Sequence, residues 1–151
     1  MYLLPSYVGA LFFLVPMFLT DQRIRVEHWD VACDHGRVAA KNMLGNDVDY
    51  DNVPFFWTQM FGVSLRYSGN CMEFKETIIH GDLEGDRPSG IVYYVTKDDL
   101  VAAVLSISRD PYAAAALVLL KCERMPSAET LRDSQEFDLP RHLSQLTPEF
   151  S

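Results

Sequence analysis

Glycine is sparse in this sequence. The chain has eight glycines among 151 residues, and none of them falls into a G-x-G-x-x-G or a G-x-x-x-x-G-K-[ST] pattern. Proteins grip the phosphates of nucleotides and dinucleotides through peptide N–H groups that such glycines leave uncovered. The sequence therefore predicts no phosphate-binding loop of either type.

Basic residues and cysteines are also few. Thirteen Lys and Arg against 21 Asp and Glu give a net charge of -8, which argues against nucleic acid or an anionic membrane surface as a partner, because both attract basic proteins. The three cysteines, Cys33, Cys71 and Cys122, form no CxxC pair. An odd number of isolated cysteines predicts neither a disulfide framework nor a zinc knuckle, and we expect buried free thiols.

Charged residues are missing altogether from residues 1–20, an apolar run that ends sharply at Asp21. Three interpretations remain open for this leader. A membrane span needs about 20 apolar residues, but Pro5 and Pro16 interrupt the run. A secretory signal needs a basic start, which is absent. The third interpretation, which we favour, is a segment foreign to the domain that follows, such as an alternative start.

Hydrophobic periodicity outlines the rest of the chain. Residues 26–44 have helical spacing, with Ala32, Gly36 and Met43 on a face of small residues that allows close approach, and Gly45 fits a C-cap. Strands are predicted near residues 63–68, 77–80, 91–96 and 100–107, the last two forming a hairpin. A helix capped by Asp110 should follow, then a shorter helix from Ser127.

The order of these elements indicates the fold class. A helix, about four strands and two C-terminal helices follow one another without β-α-β alternation, which predicts an α+β fold with a small antiparallel sheet covered on one face. Residues 136–151 are polar and contain Pro140 and Pro148. We expect them to form a poorly ordered tail.

Residue chemistry alone points to no reaction. His28 and His35 lie seven residues apart on one side of the first helix, but no third metal ligand stands at a fixed spacing from them. Asp34 and His35 are neighbours and point in different directions on a helix, which disfavours an acid–base pair. No G-x-S-x-G occurs. The aromatic cluster at residues 55–57 is more typical of a core or an interface than of a cofactor site.

Two long motifs change this interpretation. Residues 25–32 read RVEHWDVA and continue at 36–45 with GRVAAKNMLG, and residues 54–69 read PFFWTQMFGVSLRYSG. Together they resemble the pyridine nucleotide-disulfide-type reductases of the ferredoxin and rubredoxin reductase group. The resemblance is strongest to the apoptosis-inducing-factor-like branch with an N-terminal Rieske domain. It continues more weakly to about Leu131 and does not include residues 1–22.

This resemblance implies a flavin enzyme. In the family an FAD domain and an NAD domain precede a C-terminal domain, and electrons pass from NAD(P)H through FAD to an iron–sulfur partner. Glu27 and His28 match a pair near the nicotinamide side of the flavin, and Trp57 matches an aromatic residue that closes over it. A family Gly-Asp pair, whose aspartate holds the ribityl chain, has no match, because no glycine precedes Asp21.

The resemblance also implies a domain division. Residues 1–22 are the leader, 23–46 a remnant of the FAD domain with its last helix, 53–135 the reductase C-terminal domain, and 136–151 the polar tail. We expect a fragment with little or no activity alone, in a cytoplasmic or mitochondrial intracellular location. The alternatives are a non-enzymatic module that pairs with itself or with a full-length reductase, and a domain anchored in a membrane through residues 1–20.

Overall fold

The computed structural model describes residues 15–17 and 20–146. The chain divides into two compact units, Met1–Asn52 and Val53–Ser151.

The first unit consists of a two-stranded ribbon and one long helix. Strand β1 (Val15–Met17) pairs antiparallel with β2 (Thr20–Ile24), and α1 spans Trp29–Met43. The helix ends in a Schellman motif: the N–H of Gly45 donates to the carbonyl of Asn42 at 3.0 Å, and the N–H of Asn46 to that of Lys41 at 3.1 Å. Gly45 has a φ of 87°, which a residue with a Cβ adopts only with strain. The predicted C-cap is confirmed.

The predicted small face of α1 is not a packing face in the structure. Among the described residues, Gly36 and Met43 are exposed, and a Cβ added to Gly36 would meet none of their atoms within 4 Å. The buried residue of the helix is Val31 instead. The small side chains of this helix therefore do not mark a close backbone approach, because spacing alone does not show which side of a helix is covered.

The expectation of membrane association through residues 1–20 is wrong. Its described part, Val15–Met17 and Thr20, lies in β-strands. Across residues 15–17 and 20–146, none of the helices combines the length and the apolar character that a membrane span requires. Residues 1–14, 18 and 19 of the leader lie outside the described residues.

The second unit is a five-stranded antiparallel sheet with three helices. The strands are β3 (Phe55–Met60), β4 (Val63–Gly69), β5 (Glu76–Asp82), β6 (Ser89–Val95) and β7 (Val101–Ile107), in the spatial order β3-β4-β7-β6-β5. The helices are α2 (Tyr112–Lys121), α3 (Ala128–Asp133) and α4 (Leu139–Leu146). The predicted α+β class is confirmed, with five strands in this sheet instead of about four.

The core lies on one face of this sheet. Side chains alternate between the two faces of a strand, and Tyr93 of β6 stands opposite Val104 of β7 and Ile78 of β5, so all three share a face. Leu119 of α2 and Leu131 of α3 pack with them, and every one of these residues is buried. Burial of this apolar face beneath the helices holds the unit together.

Two segments of the second unit differ from the prediction. Phe55–Met60 forms a strand, although its continuous aromatic run shows no alternation. The expected disordered tail is wrong for residues 139–146, which form α4 with Leu139 fully buried. The chain just before α4 is tied to the sheet, because the N–H of Phe137 donates to Nδ1 of His80 at 3.2 Å. Residues 147–151 lie outside the described residues.

Two smaller predictions also need correction. Asp110 does not cap α2, whose start has no side-chain cap. Its carboxylate instead forms an ion pair with Arg66, whose Nε lies 2.6 Å away, because a charged partner on the neighbouring strand competes with the helix amides. The three cysteines are free, as expected, but only partly buried.

Candidate functional site

Glu27 and His28 lie together at the start of α1. Glu27 forms an ion pair with Arg25, and its side chain is largely exposed. His28 is the N-cap, with extended dihedral angles of φ -129° and ψ 143°, and its carbonyl accepts from the N–H of Ala32 at 3.0 Å. Glu27 and His28 thus stand in the chain directly before the first residue of α1.

The start of α1 combines a helix N-terminus with acidic side chains. The side chain of His28 makes no capping hydrogen bond, and the positive end of the helix dipole stabilises negative charge. Asp30 lies in this turn, 4.0 Å from Nδ1 of His28. The chain thus offers peptide N–H groups and an imidazole at one end of a helix, with carboxylates beside them.

The loop after α1 folds back on the helix. The side chain of Asn42 donates to the carbonyl of Val48 at 2.9 Å and accepts from its N–H at 2.8 Å. Further along, the rings of His35 and Tyr50 meet edge to face at 4.3 Å. Burial raises the pKa of Tyr50 to about 12 and lowers the pKa of His35. These side chains fix the loop, which gives His35 a structural role.

Asp34 has a similar role. Its carboxylate pairs with Arg37 and accepts from the side-chain amide of Asn52 at 2.7 Å. Asp34 and His35 therefore contact different groups. Among residues 15–17 and 20–146, no three His, Cys, Asp or Glu side chains stand close enough together to hold a metal ion.

Trp57 occupies the middle of β3 in the second unit. It stands opposite Arg66 of β4, and 64% of its surface is exposed. The Arg66 guanidinium is held by Asp110, so the tryptophan has a fixed cationic neighbour on the same face of the sheet. A large flat ring that the core does not use, on a rigid strand, is suited to cover another flat ring.

The tip of the β3–β4 hairpin also carries an aromatic residue, which the sequence interpretation did not single out. Phe61 and Gly62 form the two-residue turn, with φ angles of 52° and 79°. Both angles are positive, as in a type I′ turn, and Phe61 is fully exposed. The signal was present in the sequence: an x-Gly pair between two strand-like runs predicts such a hairpin.

A family model described as "Reductase C-terminal" matches residues 55–142. This range contains the whole five-stranded sheet, with Trp57 on β3, and the helices up to the first half of α4. The match covers more than half of the chain and most of the second unit.

Individual relatives extend the match toward α1. Mouse apoptosis-inducing factor 3 is 40% identical over 104 residues, which cover 69% of this chain and 17% of the mouse protein. The ferredoxin–NAD(+) reductase component of the anthranilate 1,2-dioxygenase system of Burkholderia cepacia is 28% identical over 115 residues, which cover 76% of this chain and 28% of that protein. The chain thus spans well under a third of either relative.

Solved structures show the same fold. The reductase in the covalent putidaredoxin reductase–putidaredoxin complex superimposes with a TM-score of 0.70 at 22% identity. The superposition covers 83% of this chain and 29% of the solved chain.

Proposed function

Because this chain belongs to the reductase C-terminal family, we propose that it is the C-terminal part of a flavin-dependent NAD(P)H oxidoreductase. The electrons would pass from NADH through FAD to an iron–sulfur acceptor. The relatives named as ferredoxin–NAD(+) reductase components support this direction of transfer. The observation that carries the proposal is Trp57, an exposed aromatic ring fixed on β3 within the matched region.

In this proposal Trp57 covers the flavin ring, and Glu27 and His28 lie at the contact between nicotinamide and flavin. FAD supplies the site that takes up hydride when it is bound. The start of α1 fits a neighbouring group that becomes negatively charged, because the side chain of its N-cap, His28, does not cap the first-turn amides. Trp57 excludes water from the ring it covers, which strengthens the electrostatic interactions beneath it.

We further propose that residues 1–151 have little or no activity alone. The sequence contains neither of the glycine-rich patterns that hold a dinucleotide diphosphate. The family positions that this chain retains, Glu27, His28 and Trp57, are assigned to the flavin ring and not to the diphosphate. Purified chain is therefore expected to bind no stoichiometric FAD and to oxidise no NADH. A yellow preparation that is reduced by NADH without another protein would contradict this part of the proposal.

The role of Trp57 is tested in a chimera, in which residues 25–146 replace the matching segment of mouse apoptosis-inducing factor 3. Trp57→Ala is expected to alter the flavin absorbance spectrum and to slow NADH-dependent reduction of an iron–sulfur acceptor about tenfold. Trp29→Ala is the matched control, because Trp29 is equally large and 75% exposed. Equal effects of the two substitutions, or none, would refute the assignment.

The roles of Glu27 and His28 have a separate readout in the same chimera. Glu27→Gln and His28→Ala are expected to slow reduction of the flavin by NADH, because both side chains border the proposed nicotinamide contact. Asp30→Asn changes another carboxylate of the same helix start and serves as the control. If Asp30→Asn slows flavin reduction as much as Glu27→Gln does, the effect is a general one of charge at the helix end.

A further inference from the structure

The buried imidazole of His80 connects β5 with two segments of the helical layer through backbone groups. Its Nε2 lies 2.9 Å from the carbonyl of Leu131 in α3, and its Nδ1 accepts from the N–H of Phe137 at 3.2 Å. Phe137 stands two residues before α4. A ring nitrogen that accepts a hydrogen bond carries no proton, so this pair of bonds requires a neutral ring with its hydrogen on Nε2.

The two bonds respond differently to a proton. A protonated Nδ1 is a donor, and it would face the N–H of Phe137, which is also a donor. That bond is then lost, and a buried donor without a partner is unfavourable. The bond from Nε2 to Leu131 persists, because an imidazolium donates from both nitrogens and a charged donor forms a stronger bond. Protonation of His80 therefore releases residue 137 and leaves α3 attached.

The ionisable groups on the elements around His80 are neutral, engaged elsewhere or exposed. Tyr93 of β6 meets the imidazole edge to face, with the ring centroids 5.1 Å apart, and burial raises the pKa of this phenol. In the connection before α4, the carboxylate of Glu136 pairs with Arg109, and that of Asp138 accepts from a backbone N–H at 3.0 Å. The charged side chains of β5 and α3 are exposed or paired with one another: Glu76, Asp82, Glu129, Arg132 and Asp133. Among the described residues, the imidazole thus has no carboxylate partner.

We propose that residues 137–146 undock from the sheet in acid, because a proton on Nδ1 of His80 breaks the bond to Phe137. At neutral pH the docked segment buries Leu139 completely and packs Leu143 against the core. When the segment leaves, the strands keep their ladder, and α3 keeps its bond to the imidazole. The segment is therefore an acid-sensitive element that uncovers part of the core without unfolding the sheet.

The pH dependence follows from proton uptake by the undocked state. A histidine in water has a pKa of about 6.5, whereas the docked arrangement has no place for a proton on Nδ1. As the pH falls below that value, proton binding stabilises the undocked state and not the docked one. The equilibrium constant of undocking is therefore expected to rise about 25-fold between about pH 7 and pH 5.

Hydrogen exchange measures this undocking in residues 1–151, because a protected amide exchanges when its hydrogen bond opens. A suitable amide is that of His142, which donates to the carbonyl of Asp138 at 2.9 Å in the first turn of α4. Its opening constant is the observed exchange rate divided by the intrinsic rate at the same pH. The wild-type constant is expected to rise about 25-fold from about pH 7 to pH 5. In His80→Gln, which does not titrate and keeps a donor for Leu131, it should change less than about threefold.

His142→Gln is the matched control, because it removes the other histidine near Phe137, whose ring lies 5.4 Å from that of His142. Nε2 of His142 lies 3.3 Å from the carbonyl of Arg124, a bond that an imidazolium also makes. This variant should therefore keep the full rise, and circular dichroism verifies that each variant is folded.

The amides of β6 separate local undocking from global unfolding. They should open less often than those of α4 at every pH, because only unfolding of the sheet exposes them. Three results would overturn the proposal: a flat profile in the wild-type chain, an equal rise in His80→Gln, or α4 amides that open no more often than those of β6.

Discussion

His80 joins the sheet to the helical layer, and its replacement gives a quantitative test of the fold. The side chain is 3% exposed in β5. Its Nε2 lies 2.9 Å from the carbonyl of Leu131, and its Nδ1 accepts from the N–H of Phe137 at 3.2 Å. The second bond makes Nδ1 the unprotonated nitrogen, so Nε2–H is the donor to Leu131. One ring thus holds two chain segments more than fifty residues away.

In a His80→Phe variant the ring and its edge-to-face contact with Tyr93, now at 5.1 Å, can persist while both hydrogen bonds are lost. An unpaired buried polar group costs about 1–3 kcal/mol. The carbonyl of Leu131 has no access to water in its buried position, whereas Phe137 is only partly buried. We therefore expect a loss of about 3 kcal/mol in the free energy of unfolding.

Urea denaturation followed by circular dichroism measures this loss. With a slope of about 2 kcal/mol per molar urea, the midpoint should fall by about 1.5 M. His80→Gln should lose roughly half as much, since its amide can still donate to Leu131. The control is His142→Phe. It should lower the midpoint less than His80→Phe does, because Nε2 of His142 makes a longer, exposed bond of 3.3 Å to the carbonyl of Arg124. A His80→Phe variant as stable as the wild-type chain would refute the reasoning.

Three further measurements test other elements. Ser127→Ala should lower the free energy of unfolding by about 1 kcal/mol, because its hydroxyl accepts from the N–H of Thr130 at 3.1 Å at the start of α3; an unchanged urea midpoint would contradict this. Leu139→Ala should lower the free energy of unfolding by about 3 kcal/mol, since Leu139 is fully buried; a negligible loss would show that residues 139–146 do not pack on the core. The wild-type chain should have a higher urea midpoint than Arg132→Gln at neutral pH, and this difference should vanish in acid. Hydrogen bonds from Arg132 lower the pKa of Asp99, so the carboxylate stabilises the fold at neutral pH and stops doing so as the pH falls through that lowered pKa. Equal urea midpoint differences at pH 7 and about pH 2.5 would contradict the ion-pair assignment.

Local patterns were sufficient for several elements. The alternation of Val63, Leu65 and Tyr67 predicts β4, and the Lys97–Asp99 turn between two β-branched runs predicts the β6–β7 hairpin. Which face each strand buries could not be predicted in the same way, because β6 and β7 are buried on both faces. Ser127 likewise predicts the start of α3, because its hydroxyl can cap the helix.

The missed elements have specific causes. Strand β3 reads as a continuous aromatic run, which does not distinguish a strand from other apolar segments. In α4, Pro140 belongs to a polar segment that predicts a poorly ordered tail, but it lies in the first turn, where a missing N–H does no harm. The spacing of Leu139, Leu143 and Leu146 was a helical signal in a segment that its polar residues made look disordered.

The candidate site depended on resemblance more than on pattern. No spacing rule connects Glu27 at the start of α1 with Trp57 on β3, because one is an exposed acid at a helix end and the other an exposed ring on a strand. Their assignment to a common flavin rests on two long motifs.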